Sequence, residues 1–225
     1  MKRILLVLIA CFQIAFISER PQVFVVGDSI SIQYGPYLEK FLAGKAKYDR
    51  KKDIPGQKAE ANLDFPTGAN GGDSRMVLAY LKSKVAEPDF RPDVLLLNCG
   101  LHDIKLDVKT RTYQVDSASY RQNLHAIYAL ARKHNIPLVW VRSTAVVDSI
   151  HNSRSTAFHR HAKDLDAYNR IADEVWHQYK VPLVDLYEFT RSLPGNNYID
   201  HVHYNENTRA MQAAYIAGFL NHYLP

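Results

Sequence analysis

Four short groups of polar residues could take part in chemistry in this chain of 225 residues. The first, Gly27-Asp28-Ser29, places a hydroxyl directly after an apolar run. A glycine there permits a tight turn into a helix, so the pattern fits a nucleophile as well as an acid or serine that caps the helix. The last group is Asp200-x-x-His203, in which the carboxylate can accept a hydrogen bond from Nδ1–H and leave Nε2 available as a base. Each pattern alone also occurs in chains that use it only structurally.

The second and third groups could shape a binding site. The run GANGGDS at 68–74 comes just before a predicted helix, and its glycines would let the backbone approach a ligand and direct N–H groups at it. The same run could be ordinary loop punctuation. The run NCGLHD at 98–103 follows the most apolar strand. Polar side chains at the end of a buried strand cost free energy unless each has a partner, so some role there requires them.

The elements that must position these groups follow from the hydrophobic pattern. Continuous apolar runs predict buried parallel strands at 22–26, 93–98, 137–141 and 181–186, with a weaker fifth strand, ANLDF, at 61–65. Helical spacing alternates with them at 34–42, 74–85, 117–134, 158–179 and 206–223. In the last helix it predicts a buried face of Met211, Ala214, Tyr215, Gly218 and Phe219.

Strands that alternate with helices predict right-handed crossovers and helices on both faces of one sheet. We therefore expect an α/β fold, a three-layer αβα sandwich with a central, mostly parallel, five-stranded sheet. In such sheets ligands bind beyond the carboxyl ends of the strands, so the chemistry should lie just after each strand.

The order of the four groups resembles the four sequence blocks of the SGNH (GDSL-type) hydrolase superfamily, from Val23 to the last helix. The resemblance implies the flavodoxin-like fold of that superfamily. It makes Ser29 the nucleophile, His203 the general base and Asp200 the group that orients the imidazole. Ile30 stands where the family usually has leucine.

The family's oxyanion hole uses the N–H of the serine, the N–H of a second-block glycine and a third-block asparagine. The resemblance gives the first two roles to Ser29 and Gly72, with Gly71 one residue away. The third block reads Gly-Leu-His-Asp at 100–103 where the family has Gly-x-Asn-Asp. A neutral imidazole can donate one N–H, so we expect His102 to replace the asparagine and hydrolysis to be retained. The change could instead signal altered specificity or lost activity.

Several other polar residues are candidate substrate contacts. The stretch 142–161 follows the fourth predicted strand and fits a loop facing the substrate, although a solvated loop would look the same. Asn98 could lend a donor to the site, but bridging of strand ends is the stronger interpretation. His201 competes with His203 as the base, and the spacing from Asp200 favours His203. The candidate contacts are Asn98, Arg142, His151, Asn152 and Arg160.

We expect no metal and no other cofactor. The pairs His159 with His161 and His201 with His203 alternate as metal ligands can, but neither cysteines nor clustered acids accompany them. The serine mechanism that the resemblance implies needs no cofactor.

The first residues have the character of a secretory signal. Two basic residues precede an apolar stretch that ends near Phe16 and is too short to be a membrane span. Leu-Ile-Ala-Cys, ending at Cys11, also resembles a bacterial lipobox, which would make Cys11 a lipid anchor. We predict a signal at 1–20, a single hydrolase domain at 21–225, and an exported protein that is periplasmic, secreted or an outer-membrane lipoprotein.

Composition weighs against other classes of protein. Apolar residues make up 47% and charged residues 23% of the chain, as in soluble globular proteins. The net charge is +5, but the basic residues are scattered, and the run KYDRKK at 47–52 is predicted to be a solvated loop. No nucleic-acid partner is expected. Without Cys11 no internal disulfide can form, and Cys99 is predicted to be a buried small residue rather than a nucleophile.

These patterns and the resemblance predict an exported serine esterase that hydrolyses small acyl esters, O-acetyl above all, on carbohydrate. Export, polar loops and the lack of a large apolar lid-like segment favour this substrate over long-chain lipids. Two alternatives stay open. One is an acyltransferase that passes the acyl group to a sugar hydroxyl, and the other is a carbohydrate-binding pseudoenzyme, which only His102 suggests.

Overall fold

A computed structural model describes residues 19–224 of the chain. The predicted signal, including Cys11, lies outside the described residues apart from Glu19 and Arg20. Between residues 19 and 224, no helix is both long and apolar enough to cross a lipid bilayer.

The strands along the chain are β1 (Gln22–Val26), β2 (Lys47–Arg50), β3 (Val94–Leu97), β4 (Leu106–Asp107), β5 (Leu138–Val141), β6 (Phe158–His159) and β7 (Leu183–Val184). Five of them form the central parallel sheet, in the order β2-β1-β3-β5-β7. The connection from β1 leads outward to β2, and the chain then returns to β3 on the other side of β1. A crevice at the carboxyl ends of β1 and β3 follows from this reversal. Two further short strands, β4 and β6, pair antiparallel outside the sheet.

Helices cover both faces of the sheet. The helices are α1 (Ser29–Leu42), α2 (Ser74–Lys84), α3 (Ser117–Lys133), α4 (Asp148–Arg154), α5 (Ala162–Gln178), α6 (Leu186–Ser192) and α7 (Glu206–Tyr223), with one turn of 3-10 helix at Ala59–Ala61. Helix α7 packs against α1 and α6, and α3 packs against α2 and α5. The predicted three-layer αβα sandwich is confirmed.

The core lies on both sides of the sheet. Every residue of β3 is buried, and so are the last four residues of β1. These strands are uniformly apolar because helices cover both of their faces. Trp140 of β5 packs against Trp176 of α5, with ring centroids 5.1 Å apart, and joins the sheet to one helical layer.

The prediction of the fifth strand was wrong. In the segment ANLDF at 61–65, Ala61 ends the 3-10 helix and a turn follows it. The fifth strand is Lys47–Arg50, in the run predicted to be a solvated loop. This strand pairs only with β1, at the edge of the sheet, and none of its residues is fully buried. An edge strand needs no apolar run, and its charged side chains discourage pairing with other chains.

The predicted buried face of the last helix was also wrong, although the helix bounds were correct. Met211 and Tyr215 are exposed. The buried face instead includes two polar residues that bond to side chains of neighbouring segments. The amide of Gln212 donates to Thr190 Oγ1 (3.1 Å), and Thr208 Oγ1 donates to Asn197 Oδ1 (3.0 Å). The buried face consists of Thr208, Gln212, Ala213, Ile216, Ala217 and Leu220.

The helix predicted at 158–179 begins later, at Ala162. Phe158 and His159 form β6 instead, in register with Asp107 and Leu106. The stretch 142–161, predicted as a loop, therefore contains the short helix α4 and one strand of a small antiparallel pair.

Candidate active site

The turn at 27–29 and the glycine loop at 68–74 lie directly against each other at the carboxyl edge of the sheet. The N–H of Gly71 donates to the carbonyl oxygen of Gly27 (2.8 Å). A Cβ added to Gly27 would lie 2.9 Å from Ser31 Cβ, so the turn is too tight for a larger residue. The first two polar groups of the sequence therefore belong to one site.

Asp28 caps the helix, and Ser29 begins it. Asp28 Oδ1 accepts from the N–H of Ile30 (3.0 Å), which is the bond expected of an N-cap residue. Burial raises the pKa of Asp28, and the N–H of Ile30 only partly offsets this. Ser29 is the first residue of α1, so its own N–H has no acceptor within the helix.

Ser29, His203 and Asp200 form one continuous hydrogen-bonded chain. Ser29 Oγ lies 2.9 Å from His203 Nε2, and His203 Nδ1 lies 2.6 Å from Asp200 Oδ2. The serine is only 4% exposed. With its proton on Nδ1, the imidazole can accept the hydroxyl proton of Ser29 at Nε2, and Asp200 can stabilise the imidazolium that results.

The loop that carries Asp200 holds this carboxylate in its charged form. Burial alone would raise the pKa of Asp200, but hydrogen bonds from the His203 ring and from the N–H groups of His203 and Val202 outweigh it and hold the pKa below its usual value. Both N–H groups donate to Asp200 Oδ1, at 2.7 and 2.8 Å. This leaves Oδ2 for the imidazole.

The competing histidine, His201, lies in a different environment. Its Nε2 is 3.3 Å from a guanidinium nitrogen of Arg160. Because Arg has only donors, Nε2 must accept, and the proton of His201 sits on Nδ1, 3.8 Å from Asp200 Oδ1. Burial and the charge of Arg160 both lower the pKa of His201. The geometry therefore favours His203 as the base.

The glycine loop differs from the expectation in one respect. The N–H of Gly72 donates to Asn70 Oδ1 (2.9 Å), so an oxyanion would have to compete with this amide for it. The position still requires glycine: its φ is +74°, and an added Cβ would lie 2.6 Å from Met76 Sδ and 2.8 Å from Pro66 Cβ. Sequence reasoning missed Asn70, which is fully buried but sits between small residues in a run that resembles a plain loop.

His102 is buried beside the site, and its environment keeps it neutral. It is 3% exposed, and its Nδ1 has no hydrogen-bond partner among the described residues. Burial lowers its pKa well below the usual value, and the charges of Lys105 and Arg160 lower it further. A neutral imidazole has one N–H to donate, which is what an oxyanion donor needs.

We expect His102→Ala to lower kcat by about a hundredfold or more, because one oxyanion donor is lost. His102→Asn should recover much of that loss, since an amide N–H can replace the imidazole N–H. Initial rates on a simple acetate ester, with thermal melting as a control for folding, would measure both effects. An inactive but folded His102→Asn protein would contradict this role and assign His102 another one.

Arg160 connects three of the loops around the site. Its side chain is 2% exposed; Nε donates to the carbonyl oxygen of Leu101 (2.8 Å), and Nη1 lies 3.2 Å from Asp64 Oδ1. Together with the contact to His201, these bonds link three segments through one guanidinium. They are the segment before the glycine loop, the loop that contains His102, and the loop that contains Asp200 and His203. The sequence suggested a substrate contact, whereas these bonds are internal.

Arg160→Met should lower the free energy of unfolding by about 2–3 kcal/mol, because it leaves buried acceptors on Leu101 and His201 without a donor. Urea denaturation would measure this. Arg191→Met is a matched control, since Arg191 pairs with Glu188 on the surface with both side chains more than half exposed. That pair should contribute no more than about 1 kcal/mol. Equal losses in the two variants would show that Arg160 does not hold the loops.

The other candidate contacts already have internal partners. Asn98 Nδ2 donates to the carbonyl oxygen of Val141 (2.8 Å) and to Ser143 Oγ (3.0 Å), so it bridges the ends of β3 and β5, as the stronger interpretation held. Arg142 was expected at the site, but it forms ion pairs with Asp173 (2.6 Å) and Asp185 (3.2 Å). Its guanidinium is thus already neutralised.

His151 and Asn152 are also held by internal bonds. His151 is buried, its Nε2 lies 3.2 Å from the carbonyl oxygen of Phe158, and its ring packs 4.2 Å from that of His201. Asn152 Oδ1 accepts from the backbone N–H of Arg160 (3.0 Å). Both residues support the loops around the site, and His151 also lines a cleft beside Asp200 and His201.

The remaining acid of the third block holds a helix. Asp103 is fully buried, and its carboxylate accepts from the N–H of Ser74 at 2.9 and 3.1 Å, at the start of α2. Burial raises its pKa to about 7.

Cys99 is likewise fully buried, as predicted, and burial raises the pKa of its thiol well above the usual value. Between residues 19 and 224 no group of three His, Cys, Asp or Glu side chains is placed to hold a metal.

A serine, an imidazole and a carboxylate linked in this order, at the carboxyl edge of a parallel sheet between helical layers, define a serine hydrolase of the α/β class. Comparison with known families is consistent with this class. The model of the GDSL-like lipase/acylhydrolase family matches residues 25–210, and the chain belongs to that family. It is therefore an SGNH (GDSL-type) enzyme that acts on ester bonds, as the four sequence blocks suggested.

Solved structures show the same fold at low sequence identity. A lipase/acylhydrolase from Enterococcus faecalis has a TM-score of 0.67 at 15% identity and covers 91% of this chain and 97% of its own. An acetyl xylan esterase has a TM-score of 0.64 at 16% identity, covering 88% and 99%. A GDSL-like lipase from Bacteroides thetaiotaomicron has a TM-score of 0.63 at 14% identity, covering 90% and 89%. A search of curated proteins finds no match.

Proposed function

We propose that this protein is an exported serine esterase that removes small acyl groups, O-acetyl above all, from carbohydrate. Ser29 attacks the ester carbonyl while His203 takes its proton, and Asp200 stabilises the imidazolium. The alcohol leaves with the proton returned by His203. Water then gives a proton to His203 and attacks the acyl carbonyl. The bond from this carbonyl to Ser29 Oγ breaks, His203 returns the proton to Oγ, and the acid is released, so no cofactor takes part.

The observation that carries this proposal is the unbroken chain from Ser29 Oγ through His203 to Asp200, with contacts of 2.9 and 2.6 Å. Catalytic hydrogen bonds are often long before substrate binds, but here both already have bonding distances. The developing oxyanion is held by the N–H of Ser29 and by His102. The N–H of Gly72 contributes when the oxyanion takes it from Asn70.

Three observations support the choice of substrate and location. One solved structure with the same fold belongs to an acetyl xylan esterase. The loops around Ser29 are rich in polar side chains, which suits a sugar better than a lipid. The basic and apolar N-terminal residues fit export, and Cys11 is the residue that would carry a lipid anchor in place of simple cleavage.

The test is acetate release from a panel of O-acetylated glycans, with and without a free sugar as acceptor. An esterase releases acetate at a rate that the acceptor does not lower. A transferase instead moves the acetyl group to the acceptor, which mass spectrometry of the sugars detects. A protein that binds the glycans, releases no acetate and does not react with a serine-directed phosphonate would be a binding protein, and the proposal would fail.

A further inference from the structure

A cleft of about 470 Å³ opens beside the triad and has no role in the mechanism above. Its volume lies in the range of about 300–1,000 Å³ that is usual for small-molecule sites. Asp200 and His201 line it on the side of the triad. One wall comes from Asn62, Asp64 and Phe65, and the other from the segment between Arg154 and Phe158.

The residues on either side of Phe65 are both fixed to the active site. Asp64 pairs with the buried guanidinium of Arg160 at 3.2 Å. Pro66 packs against Gly72, since a Cβ on that glycine would come within 2.8 Å of Pro66 Cβ. Phe65 lies between these two anchored residues, and its side chain is nevertheless 59% exposed. An aromatic ring held in place yet left open to solvent is suited to contact a ligand.

The position of the cleft assigns it to the alcohol side of the ester. In acyl-enzyme formation the general base must return its proton to the leaving oxygen, so this oxygen lies next to His203. Asp200 and His201, which line the cleft, belong to the same short loop as His203. The part of the substrate attached to the leaving oxygen therefore extends into the cleft.

The side chains of the cleft favour a sugar over an alkyl chain. Eight of its eleven lining residues are polar or charged, and only Phe65, Ala157 and Phe158 are apolar. An alkyl chain would strip water from those polar groups and offer no hydrogen bond in return. Sugar hydroxyls donate and accept, and the C–H face of a pyranose ring can lie flat on an exposed aromatic ring.

We propose that this cleft binds the sugar that carries the ester, with the ring of Phe65 as its stacking platform. The proposal deepens the function given above and rests on it. Phe65 is thus a specificity-determining residue that contributes to binding of the sugar and takes no part in the chemistry at the carbonyl.

The test compares Phe65→Ala with the natural protein on two kinds of acetate ester. On O-acetylated methyl glycosides, Phe65→Ala should lower kcat/KM by about tenfold, the size of one lost aromatic contact, mainly through KM. On ethyl acetate, whose leaving group is too small to reach the platform, kcat/KM should stay within about twofold. Phe65→Trp should keep the natural kcat/KM on the sugar esters, because tryptophan also offers an aromatic face. Phe41→Ala, at an exposed phenylalanine of α1, is the matched control and should change neither rate.

Each other result overturns the proposal in a distinct way. If Phe65→Ala cleaves the sugar esters as fast as the natural protein, the cleft does not bind the sugar, although the esterase function stands. If Phe65→Ala instead loses activity on ethyl octanoate relative to ethyl acetate, the cleft holds the acyl chain. If the natural protein cleaves ethyl acetate but none of the sugar esters, both the cleft proposal and the carbohydrate substrate fail.

Discussion

Ser29→Ala is expected to lower kcat by about 10⁴-fold to 10⁶-fold, because without Oγ no acyl-enzyme can form. The hydroxyl of Ser29 has one hydrogen bond to a side chain, that to His203, so its loss should lower the free energy of unfolding by only about 1 kcal/mol. Acetate release measures the first effect, and thermal melting measures the second.

Ser31→Ala is the matched control for this variant. Ser31 is a buried serine of the same turn, but its Oγ donates to the carbonyl oxygen of Asp28 (2.7 Å) and lies outside the triad. The Ser31→Ala protein should keep its turnover and react with a fluorophosphonate at Ser29, whereas Ser29→Ala should not react. Turnover by folded Ser29→Ala within tenfold of the natural protein would exclude a serine mechanism at this residue.

Asp200→Asn is expected to lower kcat by about 10⁴-fold while leaving the fold intact. Asn keeps the oxygen that accepts from the N–H groups of Val202 and His203, so the loop should hold its shape. The oxygen that faces His203 is replaced by an amide NH2 group, which cannot stabilise an imidazolium. This group donates to Nδ1 and so favours the tautomer of His203 with its proton on Nε2, and a protonated Nε2 cannot accept the proton of Ser29. Steady-state kinetics on a simple acetate ester would measure the loss.

The chain offers a second Asp–His pair as a control for Asp200→Asn. Asp148 Oδ2, at the start of α4, lies 3.9 Å from His161 Nδ1, and neither residue bonds to Ser29. Asp148→Asn should change kcat less than twofold, because this pair only supports a loop. If Asp200→Asn keeps a tenth or more of the natural rate, Asp200 does not orient the imidazole of His203 or stabilise its protonated form.

The strands of the core and the contact between Asp200 and His203 could be predicted from the sequence because both depend on local patterns. The buried strand at 22–26 needs only an unbroken apolar run, and Asp200 reaches His203 across a turn of three residues. The fifth strand could not be predicted, because an edge strand with one neighbour can be as polar as Lys47–Arg50. Its place depends on pairing with β1, from which helix α1 separates it in sequence.

The internal contacts that the sequence did not indicate have the same cause. Arg142 resembled a substrate contact because its partners, Asp173 and Asp185, lie 31 and 43 residues away in sequence. The face of the last helix was misjudged because Gln212 is buried through a bond to Thr190, 22 residues away. Where a polar side chain finds a distant internal partner, periodicity and residue type no longer indicate whether it is buried, exposed or bound to a ligand.

The guanidinium shared among three loops has a consequence for engineering. Arg160 bonds at once to the side chains of Asp64 and His201 and to the carbonyl oxygen of Leu101. A loop from a relative that lacks either side chain, or that shifts this carbonyl, removes an acceptor from a buried charge. Chimaeras that graft a single loop should express poorly even when the donor loop is well suited to the new ester. Grafts that exchange all three loops together with the residue at position 160 should fold, and libraries that seek new substrates are best built on that unit.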